Sequence, residues 1–310
     1  MPPGPPAESL VGTVIAGRYR VIQLLGSGGT GHVYMAEPVS ANPPSAAGWR
    51  SRLALKVLRA EHEARPELVA RFERESVAAV RIRHANVLEV HGLERTPDGR
   101  PFFAMELLVG LDLADTLAAA RSLRPSRAVR IASGAAEGLG AAHGHGVVHR
   151  DVKPENIFLV HAPDGRELVK LLDFGFASLR EEPYGRKSDP ISARLTVVGT
   201  PEYMAPEQAQ GAEPHPAADI YSLGIALYEM LAGRVPFLGR SYPAIAHQHV
   251  GRAPASMRRH NPSLSISEEL DAVVHRALAK SPQSRFDSME ALRRALLATP
   301  EARRPGTTGS

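Results

Sequence analysis

Apolar and polar positions alternate in short blocks over the first third of the chain and in longer, helical blocks after it. Tyr19-Arg20-Val21-Ile22 and His32-Val33-Tyr34-Met35 are short apolar runs separated by a glycine cluster, the pattern of strand, tight loop and strand. A third strand is expected over residues 53–58, and the Asn-Pro-Pro-Ser and Ala-Ala-Gly clusters within residues 38–52 read as an extended surface loop. Residues 66–82 have helical spacing, with Leu68, Phe72, Ala79 and Ile82 on one side. Residues 87–93 and 101–107 give two further strands. Beyond Gly110 the period lengthens, and helices are predicted over 111–120, 125–145, 217–232 and 268–279. The apolar runs 157–160 and 168–172 flank Pro163-Asp164-Gly165 and predict a hairpin. The fold class is therefore α+β: a small antiparallel-sheet lobe with one long helix over residues 13–106, then a mainly helical lobe over 107–297. A proline-rich, disordered extension (1–12) and a flexible tail (298–310) are expected on either side.

Composition adds exclusions. At 310 residues with a hydrophobic fraction of 43%, the chain can bury a sizeable core. Cysteine is absent, which removes disulfides, thiolate nucleophiles and cysteine-based zinc sites and suits a cytoplasmic location. The start, Met1-Pro2-Pro3-Gly4-Pro5-Pro6, lacks the basic and apolar regions of a signal peptide. No apolar run reaches the length of a membrane span; residues 220–231 are short and contain Glu229. The net charge is +4 with both signs interspersed, so nucleic acid is not expected as a partner.

Chemistry concentrates at a few places. Gly26-Ser27-Gly28-Gly29-Thr30-Gly31 lies between two predicted strands, where a backbone without side chains can approach a polyphosphate. A strand rather than a helix follows it, and the Gly-Lys-Ser/Thr ending of a P-loop is missing. Lys56 sits in the apolar third strand and needs either solvent or a carboxylate. The following helix offers Glu73 and Glu75. Glu75 shares the stripe of Phe72, Ala79 and Ile82, while Val69, Val77 and Val80 give Glu73 a partial stripe of its own. The densest signal is His149-Arg150-Asp151-Val152-Lys153-Pro154-Glu155-Asn156, followed by Asp173-Phe174-Gly175. Asp151 can accept a proton from an incoming hydroxyl, and Lys153 can neutralise a transferring phosphoryl group. Asn156 and Asp173 offer oxygen ligands to a hard cation such as Mg²⁺.

With Ala54-Leu55-Lys56, Ala205-Pro206-Glu207, Asp219 and Arg285 in order around these motifs, the sequence from about residue 15 to 295 resembles the eukaryotic-type Ser/Thr protein kinases, in their bacterial style. The resemblance implies a bilobal kinase fold and an ATP-dependent transfer to protein Ser/Thr hydroxyls. It implies that Gly26, Ser27, Gly28, Gly29, Thr30, Gly31 and Val33 cover the ATP phosphates, and that Lys56 holds the α and β phosphates while pairing with Glu75, chosen over Glu73 by its position relative to His84. Met105 would be the gatekeeper, Glu106 and Leu108 would meet adenine through backbone groups, and Val33, Ala54 and Phe158 would sandwich the base. Asn156 and Asp173 would bind Mg²⁺, with Mn²⁺ as an alternative. Asp151 would orient the substrate hydroxyl, Lys153 would contact the γ-phosphate, and Asp219 and the Glu207–Arg285 pair would be structural.

Lys153, two residues after Asp151, and Thr200 both resemble Ser/Thr rather than Tyr kinases, and Phe176 leans toward serine over threonine. Arg150 resembles kinases regulated by phosphorylation of the activation loop, with Thr196 and then Ser192 and Ser188 as acceptors, the chain phosphorylating itself through a transient homodimer. A catalytically dead scaffold is disfavoured because Lys56, Asp151, Asn156 and Asp173 are all present. A small-molecule kinase is disfavoured by the complete Ala205-Pro206-Glu207 segment and Asp219. His32 departs from the small residue usual at its position. The loop 38–52 is longer than the family minimum and carries Trp49, the sole tryptophan.

Overall fold

The predicted strands pair edge to edge through their backbones, which leaves the sheet two side-chain faces. The protein is described here by a computed structural model, covering residues 10–39, 52–162, 164–174, 178–179, 200–213, 215–260 and 265–303. It divides into two units. The first contains residues up to His84, Leu88–Val109 and the segment from Asp173; the second contains Ala85–Val87, Gly110–Leu172 and the remainder.

In the first unit, β1 (Val14–Ile15), β2 (Tyr19–Ser27), β3 (Gly31–Pro38), β4 (Leu53–Leu58), β5 (Val90–Arg95) and β6 (Pro101–Glu106) form an antiparallel sheet in the order β1-β2-β3-β4-β6-β5. Directly paired residues share a face, and residues two apart share it too. Tyr34, Leu55 and Ala104 stand in one row, and with Tyr19, Val21, Ala36, Leu53, Val57 and Phe102 they make one buried cluster. The other face carries α1 (Pro66–Arg81), whose Phe72 ring lies 5.1 Å from Phe103. Phe72, Ala79 and Ile82 are buried, whereas Val77 and Val80 face solvent, so the Val77–Val80 side is the outer side of the helix. Two expectations need correction here. The strand β1 escaped sequence reading because it is two residues long. Leu10 to Gly12, assigned to a disordered extension, are bonded into the sheet: Gly12 N donates to Val21 O at 2.9 Å, and Leu10 packs against the buried cluster.

In the second unit, β7 (Gly110–Asp112) precedes α2 (Leu113–Ala120) and α3 (Pro125–Gly144). Asp112 caps α2 by accepting from Asp115 N at 2.7 Å, which is why the helix begins two residues later than its apolar spacing suggests. The short β8 (Val147–Val148) leads to the hairpin of β9 (Ile157–His161) and β10 (Glu167–Leu171), as the turn signal predicts, and β11 (Ser178–Leu179) pairs with β8. After these come α4 (Pro206–Ala209), α5 (Pro216–Ala232), α6 (Tyr242–Gly251), α7 (Met257–His260), α8 (Glu268–Ala277), α9 (Met289–Ala298) and α10 (Pro300–Arg303). The helix α5 is buried along nearly its whole length and α3 along one side, and both are packed by α8 and α9 in a single core. In α3 the small residues set the spacing: a Cβ on Gly138 would fall 2.6 Å from the Asn86 carbonyl oxygen. The tail expectation fails at residues 299–303. Glu301 is only 3% exposed and accepts from Ser267 N (2.8 Å) and Ser267 Oγ (2.9 Å), so a polar stretch is folded through a buried carboxylate.

Candidate active site

The pleat of the first unit collects the predicted nucleotide-contacting side chains on one face. Val33, Lys56 and Phe103 stand opposite one another across β3, β4 and β6, and Met35, Ala54 and Met105 form the next row on that face. Ala54 and Met105 are buried, while Val33 and Lys56 are partly exposed. The Lys56 ammonium lies 5.7 Å from the centre of the Phe103 ring, within reach of a cation–π attraction. The glycine loop is the β2–β3 turn, closed by Gly28 N donating to Gly31 O at 2.9 Å. A Cβ on Gly31 would meet the Val57 carbonyl oxygen at 2.7 Å, so this position tolerates no side chain. Ser27, Gly28 and Gly29 are exposed and Thr30 is partly so.

Glu106 ends β6, and its side chain accepts from Glu89 N at 2.8 Å; Leu108 follows, partly exposed. Glu73 is engaged elsewhere: its carboxylate pairs with Arg95 at 3.0 Å. Glu75 lies in α1, and its side chain is outside the described set. Asp173 has φ of 54°, in the left-handed region that only a few L residues adopt, and such backbone strain clusters at functional positions.

In the second unit, Asp151, Lys153, Asn156 and Thr200 come together. Asp151 is 8% exposed, and the Lys153 ammonium lies 2.9 Å from its Oδ2. Lys153 Nζ also donates to Thr200 Oγ1 at 3.2 Å. Asn156 Nδ2 donates to Asp151 O at 2.7 Å and to Asp151 Oδ2 at 3.3 Å. Because the amide nitrogen is spent on Asp151, the amide oxygen points away from it, an orientation that fits a hard cation. Phe158, opposite Asp112 and Lys170 in β9, is partly exposed.

The loop bearing Asp151 is fixed from below. Asp219 is fully buried and accepts from His149 N (2.9 Å), Arg150 N (2.8 Å) and His143 Nε2 (2.8 Å). Burial pushes its carboxyl upward, and the His143 imidazole with the backbone donor more than reverses this, holding it below the usual carboxylate range. Arg150 has φ of 69°, and its carbonyl accepts from Gln208 Nε2 at 3.1 Å. The buried Arg285 guanidinium grips Glu207 through two bonds of 2.6 and 2.7 Å and also donates to the Ala217, Ala279 and Lys280 carbonyls. Sequence reading missed His143, Gln208 and a partly open cavity of about 420 Å³ lined by Pro154, Glu155, Tyr203 and Glu229. Tyr203 Oη donates to Glu229 at 2.6 Å, and burial drives the Glu229 carboxyl upward despite that bond. Nothing in their spacing marks these residues, since each acts across at least 26 positions of chain. Gly175, Phe176, Thr196, Ser192, Ser188 and Trp49 fall outside the described residues. Among the described residues, no helix is long and apolar enough to cross a membrane.

Fold and site define a protein kinase domain: the chain belongs to the protein kinase domain family, whose model matches residues 19–297. It is 38% identical over 97% of its length to serine/threonine-protein kinase pkn3 of Myxococcus xanthus, covering 53% of that protein. It is 39% identical to Pkn1 of the same organism, over 93% of the chain and 39% of the relative. The chain thus spans about half or less of the lengths of these relatives. Among solved structures, the Mycobacterium tuberculosis PknI kinase domain matches with a TM-score of 0.66 and 30% identity, over 92% of this chain and 97% of that one. These similarities support the bilobal kinase fold and the bacterial Ser/Thr style.

Proposed function

We propose that this chain is an ATP-dependent protein kinase that transfers the γ-phosphoryl group to Ser and Thr hydroxyls of proteins. The observation that carries the reading is the bonded group of Asp151, Lys153, Asn156 and Thr200. Asp151 receives the hydroxyl proton as the substrate oxygen bonds to the γ-phosphorus and the bond to the β–γ bridging oxygen breaks, releasing ADP. Lys153 stands between Asp151 and Thr200 and compensates charge on the moving phosphoryl group. Lys56 and the loop Gly26–Gly31 hold the nucleotide's phosphates, with Glu75 pairing Lys56. Val33, Ala54 and Phe158 flank adenine, Met105 is the gatekeeper, and Glu106 and Leu108 offer backbone groups. Asn156 and Asp173 would hold Mg²⁺ or Mn²⁺, which neutralises polyphosphate charge when bound. The protein acts on its own loop at Thr196, Ser192 or Ser188 through a transient homodimer, in the cytoplasm.

The test is labelled ATP with Mg²⁺ or Mn²⁺, followed by mapping of phosphosites on this chain and on a generic protein substrate. Labelling lost in Asp151→Asn and Asp173→Ala supports the reading. Labelling that persists in both variants refutes the assignment. Nucleotide binding without any transfer would make the chain a scaffold.

A further inference from the structure

The glycine loop is tied down from outside its own hairpin. Arg59, just past β4, donates through its backbone N to Thr30 O (3.2 Å) and through Nε to Gly28 O (2.9 Å). His62 Nε2 lies 2.8 Å from Gly29 O, and since a carbonyl can only accept, Nε2 must carry the hydrogen. The Arg59 guanidinium is itself braced by Glu61 at 3.0 Å. On the flank, Ser27 Oγ is bonded to His32 Nδ1 at 2.9 Å, which gives the unusual histidine a partner within the hairpin. Three successive loop carbonyls, those of Gly28, Gly29 and Thr30, are therefore taken by two residues of another segment.

This matters because glycine cannot choose its own peptide orientation. The Gly28–Gly29 peptide lies between two residues without Cβ and can face either way at little cost, whereas the Gly29–Thr30 peptide is already biased by the β-branched Thr30. A trans peptide sets each N–H opposite the preceding C=O, and every described peptide is trans. Capturing the Gly28 and Gly29 carbonyls thus turns the Gly29 and Thr30 N–H groups away from Arg59 and His62. Backbone N–H groups aimed in succession are what a phosphate chain needs, and fixing them beforehand removes the ordering cost from binding.

We propose that Arg59 and His62 are positioning residues for the nucleotide: by holding the Gly28 and Gly29 carbonyls they preset the loop amides that receive the polyphosphate. The inference rests on the kinase reading, but its test does not require phosphoryl transfer. Affinities for ATP and for adenosine, which lacks phosphates, are measured by competition against a fluorescent nucleotide on wild type, Arg59→Ala, His62→Ala and His62→Gln. Thermal midpoints without nucleotide are recorded alongside. ATP affinity should fall about fivefold to tenfold in each alanine variant, the size of one hydrogen bond's net contribution, and adenosine affinity should hold. The amide of His62→Gln can still donate and should restore most of the loss.

A merely structural role would lower both affinities together with the thermal midpoint, and that result overturns the proposal. So does a His62→Gln variant as weak as His62→Ala, or unchanged ATP affinity in both alanine variants. If wild type binds ATP no more tightly than adenosine, the inference fails directly. If it prefers ATP but transfers no phosphate, the kinase reading fails while the loop result stands.

Discussion

At the scale of single residues, the molecule places several titratable groups where water cannot balance them. Burial, and then the neighbouring Lys280 ammonium, drives the His249 imidazole down to about 4. Between pH 6.5 and 4 the unfolded chain takes up a proton that the folded protein refuses, so stability is lost as pH falls through that window. The loss is on the order of 3 kcal/mol, and His249→Gln should flatten this limb in urea titrations taken at several pH values. Tyr203 presents a different case. Its hydroxyl donates to Glu229, a half-buried carboxylate already pushed upward by burial. Tyr203→Phe should cost about 1–3 kcal/mol of unfolding free energy and raise the Glu229 pKa further, read by chemical denaturation and by carbonyl NMR of that side chain. Asp151→Asn belongs at this scale too: it keeps the shape and removes the proton acceptor, so transfer should fall at least about a hundredfold while nucleotide binding persists.

Elements packed on a shared core leave little room at their closest approaches, which makes those points sensitive to small changes. Gly138→Ala would set a methyl group 2.6 Å from the Asn86 carbonyl oxygen and should destabilise the fold by about 1–3 kcal/mol, measurable as a lower denaturant midpoint at unchanged m-value. The link between α4 and the turn before α9 is electrostatic rather than apolar. Arg285→Ala would leave Glu207 without its guanidinium and empty a space that serves three backbone carbonyls. Breaking such a pair costs about 3–5 kcal/mol, and replacing Arg285 by Lys should recover little because an ammonium cannot make the paired bonds. Sequence periodicity located α1, α2, α3, α5 and α8 because each repeats its apolar residues at helical spacing. The helix α9 carries the same information, with Ser288 capping through Ala291 N and Met289, Leu292 and Leu296 buried, and it was legible in the sequence though not among the predicted helices. In α6 only Ile245 and His249 are buried, so there was no stripe to see.

Over the whole molecule, what could be read from sequence was the chemistry carried on contiguous residues. Asp151, Lys153 and Asn156 lie within one loop, and the alternation around Val33, Ala54, Lys56 and Met105 already implies a shared face. Hidden were the bonds made across long stretches of chain: His143 to Asp219, Gln208 to Arg150, Arg59 and His62 to the glycine loop. These depend on tertiary placement, and a polar side chain shows no periodicity that would announce its partner. Composition also misled at the end of the chain, where charged and glycine-rich residues suggested a tail from residue 298. The Glu301 carboxylate instead receives both the backbone and the hydroxyl of Ser267, whose Oγ in turn caps α8 by accepting from Leu270 N. One buried acid, with Ala302 packed on the core beside it, therefore ties residues 299–303 to the start of α8. Removing everything after Ala298 should lower the melting temperature and fray α8 first, so any truncation or fusion has to keep Glu301 and its bonds to Ser267.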